Sequence, residues 1–170
     1  MKKITLLVLT FLSLSAFGDS DLKVGDPAKS FKLQTQEGKE FDLASRKGTW
    51  TVLYFFPKAE TPGCTKQACS FRDNIKKIRN LKAEVFGIST NNVKDQAEFA
   101  KAHALNFILL ADNEGEVTNL YGSKMAIINM SKRWTFIIDP NLVIRDIAKD
   151  VDPITDAQRV ATKISELQKN

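Results

Sequence analysis

The chain has 170 residues, 43% of them hydrophobic and 26% charged. That length and balance fit one globular domain with a substantial core and exclude a disordered polymer. Lysine and arginine number 25 against 20 acids, a net charge of +5, but the signs are interspersed without a run of five. Neither nucleic acid nor a membrane surface is indicated as a partner.

Met1-Lys2-Lys3 is basic, Ile4 to Leu14 is apolar, and Ser15-Ala16-Phe17-Gly18 places small residues before a cut after Gly18. This is the pattern of a secretory signal peptide over residues 1–18, leaving 19–170 as a single domain. An uncleaved anchor is the alternative, although the apolar stretch is short of the roughly 20 residues of a span. The expectation is an exported, periplasmic protein. In such a compartment the only two cysteines, Cys64 and Cys69, are by default a structural disulfide.

Beyond a polar leader, Val24-Gly25-Asp26-Pro27-Ala28 predicts a turn. Phe31-Lys32-Leu33 and Glu40-Phe41-Asp42-Leu43 alternate about Gln36 to Lys39 and predict a β-hairpin. Thr51 to Phe56 is an apolar run that reads as a buried strand. A helix is expected from Pro62 to Leu81, with Ala68, Phe71, Ile75, Ile78 and Leu81 on its buried face. A strand over Ala83 to Ser89 follows, then a helix over Val93 to Leu105 capped by Asn91-Asn92. Phe107 to Leu110 reads as a strand and Glu116 to Tyr121 as a short helix. Trp134 to Ile138 and Leu142 to Ile147 flank Asp139-Pro140-Asn141 as a second hairpin. Asp152-Pro153 is expected to cap a last helix over Ile154 to Gln168. The order predicts an α/β protein with a central mixed sheet flanked by helices and an N-terminal β-hairpin. A βαβ unit followed by a hairpin and helix is the thioredoxin-like arrangement.

Cys64 stands at the end of the buried strand and just inside the helix. With Thr61 as N-cap, Pro62 is the first helical residue, where its missing N–H costs nothing. Cys64 then faces unpaired N–H groups and the positive end of the helix dipole, both of which favour thiolate over thiol. Cys69 lies five residues on. On a helix that is about 140° around the axis and about 7.5 Å along it. A disulfide requires Cα atoms about 4.4–6.8 Å apart, so the two cannot be bridged while the helix is intact. A permanent staple conflicts with the helix signals, whereas a disulfide formed after local unwinding does not. The spacing also excludes a C-x-x-C exchange motif.

Pro57-x-x-x-Thr61-x-x-Cys64 resembles the active-site motif of the peroxiredoxins. The run Thr61-Pro62-Gly63-Cys64-Thr65 with Cys69 resembles their Q-type subgroup, also called the bacterioferritin comigratory protein type. Val24 to Ala28, Phe71-Arg72-Asp73, Leu109 to Asp112, Tyr121-Gly122 and Arg133 to Asp139 extend the resemblance over nearly the whole chain after the leader.

The resemblance implies a thioredoxin-like fold in its peroxiredoxin variant and a thiol peroxidase acting on hydrogen peroxide and organic hydroperoxides. Cys64 would be the peroxidatic thiolate and Cys69 the resolving cysteine. Thr61 would hydrogen-bond the peroxide, Pro57 would shield the thiolate and Arg133 would stabilise developing charge. A thioredoxin-like dithiol protein would reduce the disulfide, and no metal or organic cofactor is implied. A monomer is the subgroup's commonest state. Gln67 stands where the subgroup usually has glutamate. Trp134 replaces a small hydroxyl residue and would either narrow the pocket or pack beside it. Arg72 is expected as a face charge and His103 as a surface or capping residue. Two rival readings follow from the cysteines: an exported thiol–disulfide exchange protein, or a secreted module with a structural disulfide.

Overall fold

The computed structural model describes residues 22–169, so the expected signal segment lies outside the described residues. Seven strands form one mixed sheet: β1 (Lys32–Thr35), β2 (Glu40–Asp42), β3 (Trp50–Phe55), β4 (Ala83–Ser89), β5 (Ile108–Ala111), β6 (Trp134–Ile138) and β7 (Ile144–Ala148). Their order is β2-β1-β5-β4-β3-β6-β7. Among the described residues four α-helices accompany them: α1 (Pro62–Asn80), α2 (Val93–Ala102), α3 (Glu116–Leu120) and α4 (Asp156–Leu167). No helix among the described residues is long and apolar enough to cross a membrane.

The parallel centre, β3 with β4 and β4 with β5, is buried on both faces, and its strands accordingly read as continuous apolar runs. Period-two alternation divides them between two cores. Val52, Tyr54, Val85, Leu109 and Ile137 face α1, α2 and α4. Leu53, Phe55, Phe86, Leu110 and Phe136 face the N-terminal hairpin and α3. The same alternation settles Trp134, which packs with the second core against Phe136, on the face opposite Cys64. Lys132 and Lys149 lie over its ring at 5.1 and 4.5 Å from the centroid, and it does not narrow the thiol pocket.

Both hairpins form as expected, β1 with β2 and β6 with β7. Several boundaries differ, three of them for an evident local reason. The helix α2 ends at Ala102 rather than Leu105, because His103 caps it and Ala104 turns to a φ of +47°. The strand β7 starts at Ile144 because Leu142 is left-handed (φ +62°) within the turn. The last helix starts at Asp156 rather than Ile154. The Asp152 carboxylate accepts from the N–H groups of Ile154 and Thr155, at 2.7 and 3.1 Å, and makes a separate turn there. Those two bonds also hold the Asp152 carboxyl below its ordinary range.

Candidate active site

The buried strand β3 ends at Phe55, and residues 56–61 carry the chain over the C-terminal edge of the sheet into α1. This loop is pinned from within and from outside. The Thr61 hydroxyl donates to the Lys58 carbonyl at 2.9 Å, and the Ala59 N–H donates to Asn91 Oδ1 at 2.9 Å. Glu60 adopts a left-handed φ of +63° and reaches His103 Nε2 at 3.1 Å. Pro57 is half-buried beside a cleft that Asn91, Asn113 and Asn129 also line.

Thr61 is the N-cap of α1 by its extended backbone, and Pro62 follows at the first helical position. Its hydroxyl makes no capping bond, being turned to Lys58 instead. Donating there leaves the oxygen lone pairs able to accept. The first intrahelical bond runs from Thr65 N–H to the Thr61 carbonyl at 2.9 Å. The N–H groups of Gly63 and Cys64 therefore belong to the open donors of the first turn.

Cys64 is 1% exposed, and its Sγ accepts a hydrogen bond from Arg133 Nη2 at 3.5 Å. Arg133 sits just before β6, the strand that pairs with β3, which brings position 133 to the start of α1. Gly63 makes room for it: a Cβ there would stand 3.1 Å from Nη2. The other arm of the fork, Nη1, donates to Gln67 Oε1 at 2.6 Å. Thr61, Cys64 and Arg133 thus lie at one helix start, and Pro57 lies in the loop that leads into it. Cys69 lies on the same intact helix, half-buried, and both cysteines are free thiols.

Below the thiol, the Tyr54 ring is fully buried and stacks on Phe56 and Phe71 at centroid distances of 5.5 and 4.7 Å. It fits because β4 carries glycine opposite: a Cβ on Gly87 would lie 2.6 Å from the phenol. Burial first, then the adjacent Cys64 and Asp156, raises the Tyr54 phenol well above its ordinary range, so it stays neutral.

Arg72 donates to the His103 carbonyl at 2.8 Å and pairs with Asp73, making it a tie between α1 and α2. His103 is the capping residue expected, with an added partner in Glu60. Sequence reasoning did not find Asp156. It is 1% exposed and accepts from Gln67 Nε2 at 2.8 Å across 89 positions of sequence. The one signal available was the missing acid at position 67, which asks where the compensating carboxylate has gone.

The pattern of the AhpC/TSA family matches residues 24–147. The chloroplastic peroxiredoxin Q of Oryza sativa subsp. japonica is 40% identical over 124 residues, 72% of this chain. The chain spans 57% of that relative's length. Peroxiredoxin Bcp of Escherichia coli K12 is 42% identical over 135 residues, covering 76% of this chain and 86% of the relative. The crystal structure of peroxidoxin BcpB from Mycobacterium tuberculosis superposes with a TM-score of 0.81 at 33% identity, over 86% of this chain and 98% of that one. A structure of Xylella fastidiosa PrxQ, at 23% identity and a TM-score of 0.83, covers 88% of this chain and 99% of that one and shares the fold. By the match over 24–147 and these relatives, the chain belongs to the AhpC/TSA family, among its peroxiredoxins of the Q and Bcp type.

Proposed function

We propose that the protein is a thiol-dependent peroxidase that reduces hydrogen peroxide and organic hydroperoxides through Cys64. The observation that carries this reading is Arg133 Nη2 at 3.5 Å from a buried thiol in the first turn of a helix. The open N–H groups and the guanidinium form fixed donors for charge that develops on oxygen. The Cys64 thiolate attacks the distal oxygen. An S–O bond forms, the O–O bond breaks, and the departing alkoxide or hydroxide takes a proton to leave as alcohol or water. Cys64 is left as a sulfenic acid. Thr61, whose oxygen keeps lone pairs free, accepts from the peroxide O–H and orients it, while Pro57 limits solvent at the thiolate.

Cys69 then attacks the sulfenic sulfur after the start of α1 unwinds, giving a disulfide and water. A thioredoxin-like dithiol protein returns both thiols and leaves as its own disulfide, which balances the cycle. We read the chain as a single monomeric domain over residues 19–170, exported by the basic and apolar segment at residues 1–18.

The test mixes reduced protein with one equivalent of hydrogen peroxide and follows thiol loss and tryptophan fluorescence. A fast stoichiometric reaction giving an intramolecular disulfide is expected. Cys64→Ser should abolish it. Cys69→Ser should keep the first oxidation and lose turnover with a dithiol reductant. Peroxide consumption no faster than that of a free thiol, or full activity in Cys64→Ser, removes the reading.

A further inference from the structure

Asp156, the first residue of α4, is a buried carboxylate that the cycle above does not use. Its Oδ2 accepts from Gln67 Nε2 at 2.8 Å and from the Thr135 hydroxyl at 2.7 Å, and its Oδ1 accepts from Arg159 Nε at 3.1 Å. Gln67 is fully buried and passes the contact on, accepting from Arg133 Nη1 at 2.6 Å. Arginine only donates and a carboxylate only accepts, so the partners themselves fix the amide orientation: carbonyl toward Arg133, amine toward Asp156. A glutamate at position 67 would instead lay a second carboxylate, with no N–H to offer, against Asp156 in a site closed to water. Gln67 and Asp156 therefore explain each other.

Resting on the peroxidase reading, we propose that Asp156 is a positioning residue that acts through Gln67 on both halves of the cycle. In the first half it fixes Gln67, which fixes one arm of the Arg133 fork and leaves the other aimed at Cys64. In the second half it opposes the reaction. Position 67 lies between the two cysteines, and residues 64–69 must leave the helix before the sulfurs can meet. Gln67 then has to give up both buried hydrogen bonds. One contact thus assists the attack on peroxide and restrains the unwinding that follows, so loosening it moves the two steps in opposite directions. Damage to the fold in general would slow both.

The test uses the full chain. The second-order rate with hydrogen peroxide is measured in a Cys69→Ser background, and the first-order rate of disulfide formation with both cysteines present. For Asp156→Ala the first rate should fall about tenfold, part of what removal of a whole donor costs, and the second should rise about threefold or more as the segment opens more readily. Gln67→Glu, which sets two carboxylates together, should also speed disulfide formation. Adding Asp156→Asn to it restores complementarity, because the introduced amide donates to the new carboxylate, and should bring that rate back to within about twofold of wild type. This pair keeps side-chain volumes and decides the matter if Asp156→Ala does not fold. Both rates unchanged, both rates slowed together, or no rescue in the double variant would each overturn the proposal. Amide exchange across residues 64–69 in the reduced proteins reads the restraint without peroxide and should be faster in Asp156→Ala and in Gln67→Glu. Unchanged exchange overturns the proposal even if wild type proves inactive toward peroxide, an outcome that by itself removes only the peroxidase reading.

Discussion

The two halves of α1 are held by different forces. From Pro62 to Cys69 the buried apolar anchors are small, Cys64 and Ala68, and the main fastenings are polar side chains: Arg133 on Cys64, Arg133 on Gln67, and Gln67 on Asp156. From Phe71 onward the helix is held by Phe71, Ile75 and Ile78, exposed by 0, 3 and 0% and packed into the core beneath β3 and β4. Each of the polar bonds has a charged partner, Arg133 or Asp156, and contributes about 1.5–3 kcal/mol, but the groups freed on unwinding can bond to water instead. A large apolar side chain drawn out of a core forfeits about 1.5–3 kcal/mol with no replacement. The first half is thus held by bonds that water can replace and the second by burial that water cannot, and the boundary falls near Phe71, just after Cys69.

Four measurements break or sharpen this contrast. Phe71→Ala should have the largest effect, about 3–5 kcal/mol of global stability by denaturant titration, because it opens a cavity under the half that stays. Arg133→Ala should lower the rate of Cys64 oxidation by about 10²–10³, the cost of losing one preorganised donor, with far less effect on unfolding. A loss of stability without a loss of rate would reverse the assignment of that half to chemistry.

Asp139 serves as a reference away from α1. It is 4% exposed and accepts from the N–H groups of Asn141 and Val143 and from Arg145 at 2.6 Å. Burial pushes its carboxyl up, but these bonds outweigh it and hold the group below its ordinary range. Its stabilisation is thus complete above an unfolded pKa of about 4 and lost as pH falls through the lower folded value. Asp139→Asn should cost about 1–3 kcal/mol at neutral pH and flatten the stability–pH curve in that acid window, while peroxide reactivity at neutral pH is unchanged. Gly63→Ala should have the smallest effect, about a tenfold fall in oxidation rate or about 1.4 kcal/mol. Its Cβ would press on Arg133 Nη2 at 3.1 Å without touching the core.

The contrast also marks what the sequence could show. Phe71, Ile75 and Ile78 recur at helical spacing, and the cap, proline and cysteine at 61, 62 and 64 are neighbours in the chain. Local pattern was therefore enough to place the helix, its buried face and the thiol at its start. Arg133 needed the family motif, since only the pairing of β3 with β6 carries it to Cys64. Asp156 needed the fold itself: 89 positions separate it from Gln67, and a carboxylate opening a helix reads as an ordinary first-turn acid. Trp134 needed the fold as well: alternation along a strand says which residues share a face, and only the packed cores say which face meets the site.

The central claim is that only the first half of α1 opens during the cycle, and amide hydrogen exchange of the reduced and disulfide forms tests it most directly. Protection should be lost across residues 64–69 in the disulfide form and retained from Phe71 to Asn80. Protection kept across 64–69, or lost along the whole helix, would contradict the account.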